Sequence, residues 1–172
     1  NVLFISLILV IEPFYFESIK YEAERAMSAF GRFDNAIINE NDDYLAVANI
    51  QEALTHVGAL SKYFFPPRDN GISLERAKKL RTAFQILDSS PLSNRNLRDA
   101  LEHFDEKLDI YLEKFPVGQL LTTPIIAPIS SLVPPFRVFR LVDPVNSIFV
   151  ILDEKYEFGS LREAAKEILS KI

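Results

Sequence analysis

The 172-residue sequence has no cysteine and only two histidines, His56 and His103. The first absence excludes a disulfide framework, thiolate catalysis and any zinc site that needs sulfur. The second excludes a three-histidine metal cage within one chain. Glycine-rich phosphate loops are missing, since Gly58 and Gly71 form none, and no catalytic serine motif occurs. Long apolar runs are missing too. The greasiest stretch, residues 2–11, covers ten residues before Glu12 and Pro13 stop it. A bilayer span needs roughly 20. No basic region precedes this run and no small-residue cleavage site follows it, so no secretory signal is expected. Asn1 in place of methionine raises the expectation of a missing upstream segment. The expected setting is cytoplasmic, with no membrane association, no cofactor and no metal.

What is present suits one domain over residues 1–172. Apolar residues make up 48% of the chain and charged residues 25%, enough for a sizeable core under a soluble surface. The net charge of -5 argues against dominant non-specific nucleic-acid binding and leaves room for a local basic groove.

The run at 2–10 is short and rich in β-branched residues and reads as a buried strand, against the bland alternative of an extra half-turn of helix entering the core. Pro13 suits the first turn of a helix. Phe16, Ile19, Tyr21, Ala23, Met27 and Phe30 then recur at helical steps, to about residue 38. A second helix is expected over 43–64, with Ile50, Ala53, Leu54, Val57, Leu60 and Phe64 inward and Pro66 and Pro67 ending it. Ser73 is the expected N-cap of a helix over 74–87, and a fourth runs over 93–115. Residues 14–115 thus form the helical core. Residues 116–172 read as a proline-rich wrap, a hairpin and a terminal helix. The hairpin strands are expected over 136–142 and 147–152, turning at Asp143-Pro144-Val145-Asn146. Another extended piece is expected at Tyr156-Glu157-Phe158. Ser160 and Glu163 read as a capping box for a helix over 161–171. The fold class is mainly α (α+β): an antiparallel helical bundle with a small antiparallel β appendage, which strand 2–10 is expected to join.

The fourth helix carries the candidate chemistry. On a straight helix Leu97, Leu101, Phe104, Leu108, Tyr111 and Phe115 face inward, and Arg98 and His103 flank the polar side. Histidine transfers protons near neutral pH, and arginine clamps phosphate with two parallel donors. In RNA the neighbouring 2′-hydroxyl supplies the nucleophile. Asp99 lies four residues before His103 and is placed to orient it. The bland alternative is a solvated face with ordinary Arg98–Glu102 neighbours. Arg76, Lys78, Lys79 and Arg81 form the best basic patch, and Arg95 adds a cation beside the motif. These are the candidate RNA-phosphate contacts, against the alternative of an ordinary soluble surface. His56 reads as a partly buried structural histidine, or as a second-shell group with Glu102 if the second and fourth helices pack together.

The segment Arg98-Asp99-Ala100-Leu101-Glu102-His103 resembles the arginine-x4–6-histidine motif of the HEPN superfamily. These are α-helical domains of prokaryotic toxins, nucleotide-binding-associated proteins and phage-defence systems. The family motif usually carries a polar residue, often asparagine, after the arginine, and Asp99 stands there. The stretch from His56 to Pro66, with Ser90-Pro91-Leu92 and residues 101–106, also looks like a set of uncharacterised bacterial proteins. The resemblance covers about residues 14–115. It implies a HEPN-like bundle, a homodimer with a metal-independent endoribonuclease site at its interface, Arg98 and His103 as catalytic residues, Asp99 as helper, and an RNA substrate. It brings an antitoxin or other protein partner into view, within a toxin–antitoxin or phage-defence role. The alternatives are a non-catalytic helical protein-interaction or regulatory module, and a small-molecule-binding domain.

Overall fold

The computed structural model describes residues 2–68, 70–115, 119–131 and 136–172, with side chains for the same residues other than 2–12, 119 and 136. The chain is mainly helical, with a small sheet region. Helix α1 (Val2–Asn35) passes through a π-turn at Ala36–Glu40 and returns as α2 (Asp43–Phe64). Asn41, at φ 50°, makes the sharp corner. Asp42 caps α2 by accepting from the Leu45 N–H at 2.9 Å. The two helices form the main packing surface of the molecule. On α1 this surface is Ile19, Ala23, Ala26, Phe30 and Phe33; on α2 it is Val47, Ile50, Ala53, Leu54, Val57, Leu60 and Phe64. The inward face expected for α2 is thus the observed one. On α1, Ile19, Ala23 and Phe30 are buried and Met27 partly so, but Phe16 and Tyr21 are exposed.

The strand expected at 2–10 is overturned. These residues are the first turns of α1 and belong to neither sheet. No glycine or polar turn separates them from the periodic stretch, so the helix propagates. Pro13 sits inside α1, where it deprives the Leu9 carbonyl of its usual donor without ending the helix.

Helix α3 (Gly71–Ala83) begins earlier than expected, with Asn70 and not Ser73 at its N-cap. The expected fourth helix is two. After a 3-10 turn at Pro91–Ser93, α4 (Asn96–Glu102) and α5 (Phe104–Lys114) are separated by His103 at φ -115°, ψ 37°. This break lets α5 follow the sheet, with Arg140 lying 4.3 Å over the Phe104 ring.

The strands are β1 (Gln119–Leu121), β2 (Ile125–Ile126), β3 (Phe136–Val138), β4 (Arg140–Asp143), β5 (Ile148–Ile151) and β6 (Glu154–Glu157). The expected antiparallel appendage is a mixed one. β1 pairs parallel with β3, and β2 lies parallel to β4 at one edge of a β2-β4-β5-β6 sheet. The hairpin β4–β5 and the β5–β6 pair are antiparallel. The wrap supplies β1 and β2 and docks on the bundle, where the Ile126 N–H donates to Asp43 at 3.0 Å. Its parts at 116–118 and 132–135 lie outside the described residues. Helix α6 (Gly159–Ser170) packs on α1. Phe158 stacks on Phe30, and Arg162 grips Asp34. The expected capping box is absent: Glu157 accepts from the Ser160 N–H at 3.1 Å, while Glu163 pairs with Lys166.

One buried carboxylate fixes the hairpin. Asp143 is fully buried and accepts from the N–H groups of Ile129 (3.0 Å), Val145 (3.1 Å) and Asn146 (3.0 Å) and from the Asn146 amide (2.8 Å). Burial alone would raise its carboxyl, but these donors outweigh burial and hold it below the ordinary aspartate value. Its stabilising contribution is therefore complete above about pH 4 and is lost as pH falls through the depressed folded value. Asp143→Ala leaves several donors unpaired and is expected to cost about 3 kcal/mol. Melting curves between neutral and acid pH should show wild type losing a stabilisation in that window that Asp143→Asn never had.

Candidate functional site

The carbonyl end of α2 determines where most of the candidate cations go. Helix α2 ends in Phe65-Pro66-Pro67, and two prolines in succession remove backbone donors that would otherwise close the last turn. Guanidinium groups from later elements do so instead. Arg76 donates to the Lys62 carbonyl at 3.0 Å, and Arg81 to that of Phe64 at 3.0 Å. Arg95 reaches both the Pro66 and Pro67 carbonyls, at 2.6 and 3.3 Å. Positive charge there also complements the helix dipole. Arg76 lies against the rings of both Tyr15 and Tyr63, at 5.3 and 5.7 Å, and Arg81 lies 5.1 Å over Phe65. The residues of the basic patch expected to contact RNA divide accordingly. Arg76, Arg81 and Arg95 hold the end of α2, and Lys78 pairs with Glu75 at 3.2 Å. Lys78 and Lys79 are the exposed cations of the set.

The motif residues separate. Arg98 is buried, with 8% exposure, and its stem crosses α2 at Gly58. A Cβ at Gly58 would stand 3.0 Å from the Arg98 Cγ, so any larger residue there requires the Arg98 stem to give way. Arg98 donates through Nε and Nη2 to Asp99 Oδ1 at 3.2 and 3.1 Å. Its Nη1 is buried without a partner among the described residues. His103 at the helix break is 58% exposed and stands 3.7 Å from Glu106. Asp99 is therefore joined to Arg98, while the ion partner of His103 is Glu106. Glu102 pairs with Lys62 on α2 at 2.6 Å.

His56 serves the α1–α2 seam. Its Nδ1 lies 2.7 Å from Glu22, and Tyr21 packs edge-on against the ring. Positions 56 and 58 lie on nearly opposite sides of α2, so His56 is no partner of the Arg98 stem. Along the same seam Arg32 and Arg25 reach Glu52, whose carboxyl is held below its ordinary value by the Arg32 hydrogen bond first.

Two polar constellations went unseen in the sequence. Asp153, in the β5–β6 turn, accepts from Tyr111 (2.6 Å), Arg137 (3.0 Å) and the Val138 N–H (3.0 Å). Burial, then the hydrogen bond to Asp153, pushes the Tyr111 hydroxyl up to about 12. The second is a groove of about 710 Å³ between α4–α5 and β6. Asn94, Asn96, Asp99 and Lys107 line one wall, and β6 with Glu154, Lys155, Tyr156 and Glu157 lines the other. Asp99 is the motif residue that borders it. Among the described residues no three histidine or carboxylate side chains gather as a metal site. No protein-family model, curated protein or solved structure matches the chain.

The Gly58–Arg98 contact has a decisive sign test. Alanine in a helix interior is ordinarily favoured over glycine by about 1 kcal/mol. Gly58→Ala should nevertheless destabilise wild type, because the added methyl meets the Arg98 stem. In an Arg98→Ala background the same change should stabilise. A urea double-mutant cycle measures both. Arg95→Ala should cost about 1–2 kcal/mol through the freed carbonyls, whereas His103→Ala should stay within about 0.5 kcal/mol.

Proposed function

We propose that this chain is a HEPN-like helical module that acts by binding and not by cutting RNA. The observation that supports this reading is the burial of Arg98. A phosphate clamp needs its guanidinium free to present paired donors. Here the stem is wedged over Gly58 and two nitrogens are committed to Asp99. The arginine of the motif thereby joins α4 to α2, and His103 is an exposed residue at a helix break.

A second reading is a metal-independent endoribonuclease assembled in a homodimer. The buried Nη1 of Arg98, without a partner among the described residues, and the openness of His103 favour it. In that reading a second copy or the substrate draws Arg98 outward, His103 transfers the proton, and Asp99 orients the pair.

One experiment separates them. Wild type, Arg98→Ala and His103→Ala are incubated with mixed RNA in excess chelator, and each is melted and sized by light scattering. The binding-module reading expects no cleavage by any form and a lowered melting temperature for Arg98→Ala alone. Chelator-resistant cleavage that falls roughly 10²–10⁴-fold in His103→Ala, with melting and oligomeric state unchanged, would establish the second reading.

A further inference from the structure

We propose that the apolar first turns of α1, residues 2–11, insert into one leaflet of a lipid bilayer and seat the helical bundle on its surface. The proposal does not depend on whether the chain binds or cuts RNA. The run reads Val-Leu-Phe-Ile-Ser-Leu-Ile-Leu-Val-Ile, with Ser6 its one polar member. These residues are helical, so at 100° per residue the run is apolar on every side. A serine inside a helix can return its hydroxyl to the carbonyl four residues back. Ten residues rise about 15 Å, half the roughly 30 Å of a hydrocarbon core. Among the described residues no helix is long and apolar enough to cross a membrane. Shortness, the ground for expecting no membrane association, bears on spanning and not on insertion into one leaflet. The first N–H groups of a helix have no intrahelical partner, so the run enters tilted, with its first turn within reach of headgroup oxygens.

The part of α1 that follows shows its cover thinning toward this run. Ile19 is fully buried, Phe16 is 39% exposed and Phe14 69%. Tyr15 stands level with Tyr63 in the last turn of α2, their ring centroids 6.4 Å apart. Residues 2–11 therefore continue α1 past the end of its main packing partner. Phe14, Tyr15 and Phe16, at successive positions, form a collar over about 200° of the helix circumference. Aromatic side chains concentrate at the boundary between acyl chains and water, and Glu12 sets a polar limit beside them. Shape selects the partner here, and charge does not. Arg76 beside Tyr15 is committed to the Lys62 carbonyl, and Lys78 to Glu75. A helix made for a protein groove is amphipathic, with a polar face left to water. A second copy would cover one side of an all-round apolar helix and leave the other wet. Acyl chains cover the whole circumference.

The test uses the full chain, which has no tryptophan, so a single introduced indole is a unique reporter. Phe4→Trp places it in the run, and Tyr44→Trp places it at an exposed position at the far end of α2. Wild type should float with phosphatidylcholine vesicles, and adding phosphatidylserine should change its affinity by no more than a few fold. Emission from Phe4→Trp should shift to the blue and be quenched by lipids brominated along the acyl chains. Emission from Tyr44→Trp should do neither. Ile8→Asp should weaken vesicle binding roughly tenfold or more, with the melting temperature unchanged. No flotation up to millimolar lipid, equal quenching of the two probes, or undiminished binding by Ile8→Asp would overturn the proposal. Binding that appears only with phosphatidylserine would overturn it in favour of a charged surface. Light scattering that shows a dimer split by Ile8→Asp, with no vesicle binding, would assign the run to a second copy instead.

Discussion

The buried carbonyl end of α2 is the constraint on which the remaining architecture depends. A helix leaves its last carbonyls unpaired, and the following backbone N–H groups ordinarily satisfy some of them. Pro66 and Pro67 have none to give. Arg76 and Arg81 from α3 and Arg95 from the approach to α4 take their place. Each bond made in this way also fixes a later element against α2. At the other end Asp43 takes the Ile126 N–H and secures the wrap, and in the middle Gly58 admits the Arg98 stem. Helix α2 is thus bound along its whole length, with α1 along its apolar face.

This arrangement explains which parts of the fold were legible in the sequence. The bounds and inward face of α2 were readable because an apolar period of helical spacing ran uninterrupted between Asp42 and Pro66. The hairpin turn was readable from Asp143-Pro144-Val145-Asn146, though the depth of Asp143 was not. Residues 2–10 misled because a short continuous apolar run has no period that separates strand from helix. The α6 start misled because Glu157, one residue before Phe158, takes both the Ser160 N–H that Glu163 was expected to satisfy and the Ser160 hydroxyl that was expected to cap the helix. The parallel pairings of β1 and β2 depend on contacts distant in sequence, which local pattern does not carry.

The candidate site was less legible for a related reason. Arg76, Lys78, Lys79 and Arg81 look alike in sequence, yet two of them turn inward and two face solvent. The distinguishing signal lay elsewhere, in the proline pair that creates a demand for donors. Arg98 and His103 were placed on one continuous helix, whose geometry fails once His103 leaves helical dihedrals. A motif of two residues at fixed spacing specifies neither burial nor direction, and Gly58 decides the burial from another helix.

Charge serves the interior of the fold as well as its surface. The net charge is -5, and several of the arginines are consumed by internal carbonyls and aromatic rings. Those internal contacts leave fewer cations to neutralise phosphates than the sequence alone suggests, and phosphate binding depends on that number. Carboxylates such as Glu154 and Glu157 border the polar groove. Arginines that close a helix terminus or cross a neighbouring helix serve the fold itself, so the number of cations in a sequence overstates the number left at its surface.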